Sequence, residues 1–206
     1  MRLFVSFLCL FFIWNISGCH SGNKSTSENP ELSEEEIRLL QKADTALQFC
    51  KKNNLDTNYC ILVDMKIHSG KNRMFVWDFE KNAISLSGLC CHGKGGKSTG
   101  KQPVFSNENG SNCTSLGKYK IGDRSYSQWG IHIHYKLHGL ENTNNNAFKR
   151  YVVLHSFDYV PNMEIYPMHL PMGFSLGCPV ISNELMTLLD EKLKQKEKSV
   201  LLWIYY

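Results

Sequence analysis

The feature that most constrains the fold is the hydrophobic period of two that follows Leu55. From there on, apolar and polar residues alternate in short runs separated by Gly, Asn, Asp and Lys, which is typical of β-strands joined by turns. The predicted strands span residues 59–67, 73–79, 83–90, 118–121, 131–137, 151–154 and 199–206. A chain with this pattern buries its apolar side chains in a sheet and cannot form a helical bundle.

Two helices are predicted beside these strands. Ser33 followed by Glu36 forms a capping box, and apolar residues at helical spacing follow it, so a helix is expected over residues 34–51 within an N-terminal helical segment 33–53. Ser182 is the predicted N-cap of a late helix, one face of which carries Leu185, Leu188, Leu189 and Leu193. The sequence therefore predicts a mostly β domain with flanking helices, of the α+β class, over residues 33–206.

The amino terminus predicts export. Residues 3–16 are almost continuously apolar after Met1 and Arg2, and the run is too short for a comfortable membrane span, so it reads as a signal peptide. The following segment 16–19, Ile-Ser-Gly-Cys, resembles the lipobox of bacterial lipoproteins. We expect residues 1–18 to be a lipoprotein signal peptide, Cys19 to carry the lipid, and polar residues 19–32 to form a flexible lipidated tether.

This interpretation predicts a location in the bacterial cell envelope, with the protein attached to a membrane through its N-terminal lipid and facing the periplasm. The alternative is an ordinary signal peptide that ends near a cysteine. The formal net charge of +4 is small and the basic residues are scattered, which argues against a nucleic-acid partner. With 42% hydrophobic residues the chain can bury a substantial core, which excludes extensive disorder.

Six cysteines follow the predicted tether, and an oxidising compartment favours their pairing. Cys50 with Cys60 is one possible bridge, and Cys113 with either Cys90 or Cys91 is another. The pairing cannot be deduced from the sequence and stays open.

Cys178 lies in a different context, at the end of the tight turn 175–178, Ser-Leu-Gly-Cys. A glycine directly before a thiol lets the backbone approach a substrate closely, and the N–H groups of Gly177 and Cys178 could stabilise an oxyanion. His155 ends a β-branched strand upstream and is the candidate base. A thiol paired with an imidazole is expected to have a depressed pKa and to react with a thiol probe at mildly acidic pH.

These residues resemble the His-Gly/Ser and Ser-x-Gly-Cys signature of the bacterial L,D-transpeptidase, or YkuD-like, catalytic domain. Further segments resemble the murein L,D-transpeptidase branch of that family in order and spacing, namely residues 105–107, 115–119, 138–141, 144–147, 150 and 158–160. The similarity covers about residues 59–206. It implies a β-sandwich or mixed-sheet catalytic domain of the L,D-transpeptidase type.

The resemblance also implies an activity. Cys178 would be acylated by a peptidoglycan stem tetrapeptide, release D-Ala, and pass the acyl group to an amine as a 3-3 cross-link or to water as an L,D-carboxypeptidase. His155 would act as base and then acid, Ser156 would orient it through the backbone carbonyl, and Gly177 would contribute to the oxyanion hole. Ser175, Arg150 and Tyr159 would contact the substrate. The stem peptides would be the binding partner, no cofactor or metal is expected, and no protein partner is indicated.

Two features depart from the family pattern. Leu176 occupies a position where many members carry a second histidine, and Phe174 occupies one associated with arginine. These departures favour an alternative, a non-catalytic, lipid-anchored module that binds peptidoglycan in the same cleft.

Two further patterns suggest other chemistry. His132 and His134 alternate with isoleucines on a predicted strand, a spacing that could hold zinc for a hydrolase, although no third ligand accompanies them. The segment 93–99, Gly-Lys-Gly-Gly-Lys-Ser-Thr, lacks the spacing of a phosphate-binding loop. We expect it to be a solvated glycine-lysine loop at the rim of the cleft.

Overall fold

The computed structural model describes residues 32–206, which form eight strands and two helices. The elements are α1 (Glu34–Lys52), β1 (Tyr59–Asp64), β2 (Met74–Asp78), β3 (Ala83–Gly88), β4 (Gly117–Tyr126), β5 (Ile133–Gly139), β6 (Val153–Ser156), β7 (Val180–Ile181), α2 (Asn183–Lys194) and β8 (Leu201–Tyr205). The prediction of a mostly β domain with flanking helices is confirmed. The predicted signal peptide, Cys19 and all of the tether except Leu32 lie outside the described residues. Within residues 32–206, no helix is both long and apolar enough to cross a membrane.

All eight strands belong to one mixed sheet in the order β3-β2-β1-β8-β4-β5-β6-β7. The pairs β1–β8 and β6–β7 are parallel, and the other neighbours are antiparallel. The C-terminal strand β8 lies between β1 and β4, so the last strand of the chain joins the two halves of the sheet. The parallel β6–β7 pair at the other end of the sheet positions the site described below.

The central strands are buried on both faces. Along β1, Cys60 and Leu62 pack in the cluster beneath α1, whereas Ile61 and Val63 pack in the larger cluster that includes α2. This two-sided burial explains the continuous apolar run of β1, since side chains of either parity meet a hydrophobic layer. Each fully buried aliphatic side chain of this size stabilises the fold by about 1.5–3 kcal/mol.

The helix boundaries agree closely with the predicted caps. The Ser33 hydroxyl accepts from the Glu36 N–H at 3.3 Å, and the Glu36 carboxylate accepts from the Ser33 N–H at 2.8 Å. The Ser182 hydroxyl accepts from the Leu185 N–H at 3.1 Å. The buried face of α2 differs in one respect from the prediction, because Leu188 is 53% exposed. Met186 is buried in the core instead.

The strand predictions fail mainly around the β4–β5 connection. β4 extends to Tyr126, well past the predicted end at residue 121. β5 begins at Ile133 instead of residue 131, because Gly130 and His132 adopt positive φ angles of 57° and 62° that turn the chain. The two-residue strand β7 was not predicted, since so short a strand leaves no periodic signal.

The six cysteines that follow residue 32 are all free thiols. Cys178 is partly exposed, and the other five are buried in the hydrophobic core or beneath loops. Neither of the two possible bridges is formed.

Candidate active site

The pairing of β6 with β7 brings the candidate nucleophile and base to one cleft. His155 is the partner of Val180 in this parallel pair, so Cys178, two residues before Val180, lies level with Val153. The Val153 N–H donates to Cys178 Sγ at 3.4 Å. Cys178 and His155 both line a cleft of about 720 Å³.

The turn that carries Cys178 is held by the hydroxyl of Ser175. Ser175 Oγ accepts from the Gly177 N–H at 3.0 Å and donates to the Cys178 carbonyl at 2.6 Å. Ser175 is buried and its hydroxyl shapes the turn through one donated and one accepted hydrogen bond, and its predicted contact with substrate stays a prediction. The Gly177 N–H donates to Ser175 Oγ in this arrangement, and its expected place in an oxyanion hole stays a prediction. In residues 32–206 the Cys178 N–H has no acceptor, as is also true of the other turn N–H groups at Ser175 and Leu176, so it is a donor that the turn leaves available.

Gly177 is required by the conformation of this turn. Its φ of 120° is unfavourable for any residue with a side chain, and an added Cβ would lie 2.7 Å from the Cys113 carbonyl oxygen. Thr114 supports the turn from the other side, where its hydroxyl accepts from the Gly93 N–H at 3.0 Å and donates to the Gly177 carbonyl at 3.2 Å. The sequence analysis missed Thr114, because no local pattern links it to Gly177.

His155 is held in one orientation by the residue that follows it. Its Nδ1 lies 2.9 Å from the Ser156 carbonyl oxygen, so this nitrogen carries the proton and Nε2 is the free acceptor. Ser156 is itself fixed, because its hydroxyl accepts from the Ile131 N–H at 3.1 Å. The turn at Gly130 packs directly against Ser156, where a side chain would not fit.

The electrostatic environment keeps both groups neutral. Burial lowers the pKa of His155, the Ser156 carbonyl partly offsets this, and His134 lowers the pKa further. Burial raises the pKa of the Cys178 thiol above its ordinary value, although the Val153 N–H and two nearby cations oppose the shift. The expected depressed thiol pKa is therefore wrong for this structure. Within the described residues no hydrogen bond joins the imidazole to the thiol, and the Cys178 thiol donates instead to the Tyr151 carbonyl, with Sγ 4.0 Å from the oxygen.

Arg150 forms hydrogen bonds that the sequence did not predict. Its guanidinium donates to the carbonyls of Ser106 at 2.9 Å and Cys113 at 2.7 Å. It also donates to the hydroxyls of Ser111 and Ser115. The two terminal nitrogens of Arg150 are thus directed at segment 106–115 and hold it against the turn 175–178, while Arg150 also lines the cleft, so its predicted contact with substrate stays a prediction.

The rest of the cleft has an aromatic wall. The apolar side chains that line it are Tyr126, Trp129, Tyr151, Val153, Phe157, Phe174 and Leu176. Phe174 packs against Phe157 with ring centroids 5.3 Å apart. Tyr159 contacts Phe157 at 5.4 Å but is 71% exposed and lies outside the lining of the cleft. The structure therefore places this predicted substrate contact at the outer surface of the aromatic cluster.

Residues 31–205 match the family described as L,D-transpeptidase catalytic domain. The chain belongs to this family. The family predicted from the sequence is thus confirmed, and the L,D-transpeptidase domain is an enzyme domain that modifies peptidoglycan.

Solved structures with a similar fold include an L,D-transpeptidase from Xylanimonas cellulosilytica, with 11% identity and a TM-score of 0.40. That similarity covers 77% of this chain and 68% of the other. The helical cell shape determining protein Pgp2 from Campylobacter jejuni has 12% identity and a TM-score of 0.43, covering 77% of this chain and 54% of Pgp2. This chain therefore aligns with little more than half of Pgp2. No curated protein sequence matches the chain.

His132 and His134, which were predicted to lie on one strand of this L,D-transpeptidase domain, lie in two different elements. His132 lies in the turn before β5, with its Nδ1 3.2 Å from the Ser127 carbonyl and its ring stacked on Tyr126. His134 lies on β5, is buried, and contacts the ring of Tyr151 edge-on. The two imidazoles therefore do not share one face of a strand. Residues 32–206 contain no group of three or more His, Cys, Asp or Glu residues that could hold a metal ion.

Proposed function

We propose that this L,D-transpeptidase domain uses Cys178 to form a thioester with the third residue of a stem tetrapeptide, releasing the terminal D-Ala. The observation that supports this most is the shared cleft of Cys178 and His155, combined with the Ser156 carbonyl that keeps His155 Nε2 unprotonated. A neutral thiol needs a neutral base within reach of its proton, and the pKa directions of both residues favour that pair.

In the first half of the reaction, the thiol proton moves to His155 Nε2 as Cys178 Sγ attacks the carbonyl carbon of the third residue. The thiol must first turn away from the Tyr151 carbonyl, which accepts from it at 4.0 Å. The developing oxyanion accepts a hydrogen bond from the free Cys178 N–H. His155 then returns the proton to the amide nitrogen, the C–N bond breaks, and D-Ala leaves as a neutral amine.

In the second half, an acceptor attacks the thioester and gives its proton to His155 Nε2. The proton returns to Sγ as the C–S bond breaks, which regenerates the thiol. An amine from a neighbouring stem forms a 3-3 cross-link, and water gives a shortened peptide. We propose both outcomes for this cleft, with the balance set by which acceptor occupies it.

The test incubates purified protein with a disaccharide tetrapeptide and measures both intact protein mass and released D-Ala. Wild type should gain the mass of the substrate minus that of D-Ala, and Cys178→Ala should lose the adduct while keeping its thermal stability. His155→Ala should lower the rate by on the order of a hundredfold, the scale of a lost general base. Cys113→Ala is the matched control, since it removes a buried thiol near the same turn and should keep the adduct.

Two results would count against the proposal. An adduct that persists in Cys178→Ala would place the nucleophile elsewhere. Peptide binding by wild type without an adduct or D-Ala release would instead support the non-catalytic peptidoglycan-binding module.

We also propose that the chain is lipidated at Cys19 and attached to a membrane of the bacterial cell envelope, with the domain facing the periplasm. The support is the segment 16–19 after an apolar run, followed by a polar spacer long enough to separate the domain from the membrane surface.

A further inference from the structure

The charged residues that line the cleft are of one sign. Lys94 and Arg150 are the lysine and arginine among the lining residues, and none of the lining residues of the described chain is Asp or Glu. A cleft of this kind favours an anionic substrate, because no carboxylate in its wall would repel one.

Of these two cations, Lys94 is the one whose charged group has no hydrogen-bond or ion-pair partner within residues 32–206. Arg150 directs its donors at the carbonyls and hydroxyls of segment 106–115. Lys94 is exposed, and within residues 32–206 its ammonium group forms neither an ion pair nor a hydrogen bond. A lysine left without a partner beside a catalytic cleft can contribute its charge to substrate binding at no cost to the fold.

The position of Lys94 relative to Cys178 is set by backbone contacts. The Lys94 N–H donates to the Ser175 carbonyl at 3.1 Å, so the loop is bonded to the start of the nucleophile turn. The neighbouring Gly93 packs so tightly that an added Cβ would lie 2.9 Å from Gly177 N. Thr114 ties the same two segments together through its hydroxyl. The backbone of Lys94 is therefore held against the turn 175–178 that carries Cys178, and its exposed side chain extends from this anchored position.

We propose that Lys94 binds the terminal carboxylate of the donor peptide. The domain would thereby prefer peptides in which the residue after the scissile bond is the last one and carries a free carboxylate. The inference rests on the function proposed above. The carboxylate carbon of a terminal residue lies only about 4 Å from the scissile carbonyl carbon, the spacing of successive peptide units. A lysine ammonium reaches about 6 Å from its Cα, which is enough to span from the loop to that carboxylate. D-Ala has no other charged group by which an enzyme could recognise it.

The experiment compares the natural tetrapeptide with the same peptide amidated only at its terminal carboxylate. Binding is measured by calorimetry in the Cys178→Ala background, which removes turnover, and D-residue release is measured in proteins that retain Cys178. We expect the acid to be preferred over the amide by about tenfold, as for a partly exposed charge-assisted hydrogen bond. Lys94→Met should remove the preference by weakening the acid alone, and Lys94→Arg should restore it.

Lys97→Met is the matched control, because Lys97 is an exposed lysine of the same loop that does not line the cleft. It should leave the preference unchanged. Raising the salt concentration should reduce the preference in wild type and have little effect on Lys94→Met, since screening acts on the charge that the variant lacks.

The inference is overturned if the acid and amide bind equally to the Lys94 protein, or if Lys94→Met weakens both peptides to the same extent. Failure of the proposed function gives a different result. In that case no D-residue is released by any protein, while the preference in binding still depends on Lys94.

Discussion

At the scale of single residues, the chemistry of the site depends on two groups that are both held in their neutral forms. Burial raises the pKa of Cys178 and lowers that of His155. A preformed thiolate–imidazolium pair would require the opposite directions. In the proposed reaction, the thiol would therefore be activated only when a substrate is in place and its proton can move to His155 Nε2.

This neutrality predicts how reactivity depends on pH. Alkylation of Cys178 by iodoacetamide should increase with pH and have its midpoint above 9.0, the ordinary value for this thiol. Release of D-Ala should persist below pH 6.5, because the lowered pKa of His155 keeps the base unprotonated there. The measurement is the alkylation rate by mass spectrometry from pH 5 to 10, with Cys178→Ala as the blank. A midpoint below neutral pH would show an ion pair instead.

Gly177 provides a second prediction at this scale. Gly177→Ala should lower stability by about 2 kcal/mol and abolish D-Ala release, because φ of 120° strains any L residue and Cβ would meet the Cys113 carbonyl. Gly110→Ala is the control, since Gly110 also has a positive φ, of 79°, but has nothing within 4 Å. Urea unfolding and D-Ala release are measured for both. Equal losses would mean that the contact with Cys113 is unimportant.

At the scale of elements, the site depends on loops anchored by buried polar side chains. His92 precedes the glycine-lysine loop, accepts at Nδ1 from the Arg73 guanidinium at 2.9 Å, and donates from Nε2 to the Thr99 carbonyl at 3.0 Å. Both hydrogen bonds require a neutral imidazole with its proton on Nε2. Protonation would remove the acceptor and place two cations together in the core.

This arrangement predicts acid-sensitive stability. Burial, with a further contribution from Arg73, lowers the pKa of His92 to about 4 from 6.5. Between these values the unfolded chain binds a proton that the folded chain does not. The contribution of His92 to the free energy of unfolding is therefore fully present above pH 6.5 and decreases as the pH falls. We expect the His92 contribution to this loss to be about 2 kcal/mol at pH 4.5, measured by urea unfolding.

His92→Gln should lose less stability between pH 7 and pH 4.5 than wild type does. His132→Gln, which removes an exposed histidine from the turn before β5, should behave like wild type. Identical acid dependence in all three proteins would contradict the assignment to His92.

At the scale of the whole molecule, the chain combines the catalytic domain with the predicted lipidated N-terminal segment. Cys19→Ala should leave the protein unprocessed or release it into the soluble fraction, because a lipid chain and not the domain surface would provide the membrane attachment. Cell fractionation and mass spectrometry of the mature N-terminus test this. A wild-type protein cleaved elsewhere, with Cys19 unmodified, would refute the lipidation.

Local sequence determined where the helices and strands form and which residues are the candidate nucleophile and base. The helix N-caps, the alternation of the strands and the Ser-x-Gly-Cys turn each depend on neighbours within a few residues, so a short window contains the information. The family and the mostly β class follow from such patterns. The choice of Cys178 and His155 as nucleophile and base also came from them, and it stays a proposal.

The tertiary structure decided which partner each polar group would find. The hydroxyl of Ser175, the guanidinium of Arg150 and the imidazole of His132 were assigned roles from their positions in the sequence, and each forms hydrogen bonds that those positions did not predict. Their partners depend on strand order, on a two-residue parallel strand and on positive φ angles at a hairpin turn. Lys94 stands beside the nucleophile for the same reason, because hydrogen bonds between distant segments depend on the packed geometry and leave no periodic trace in the sequence.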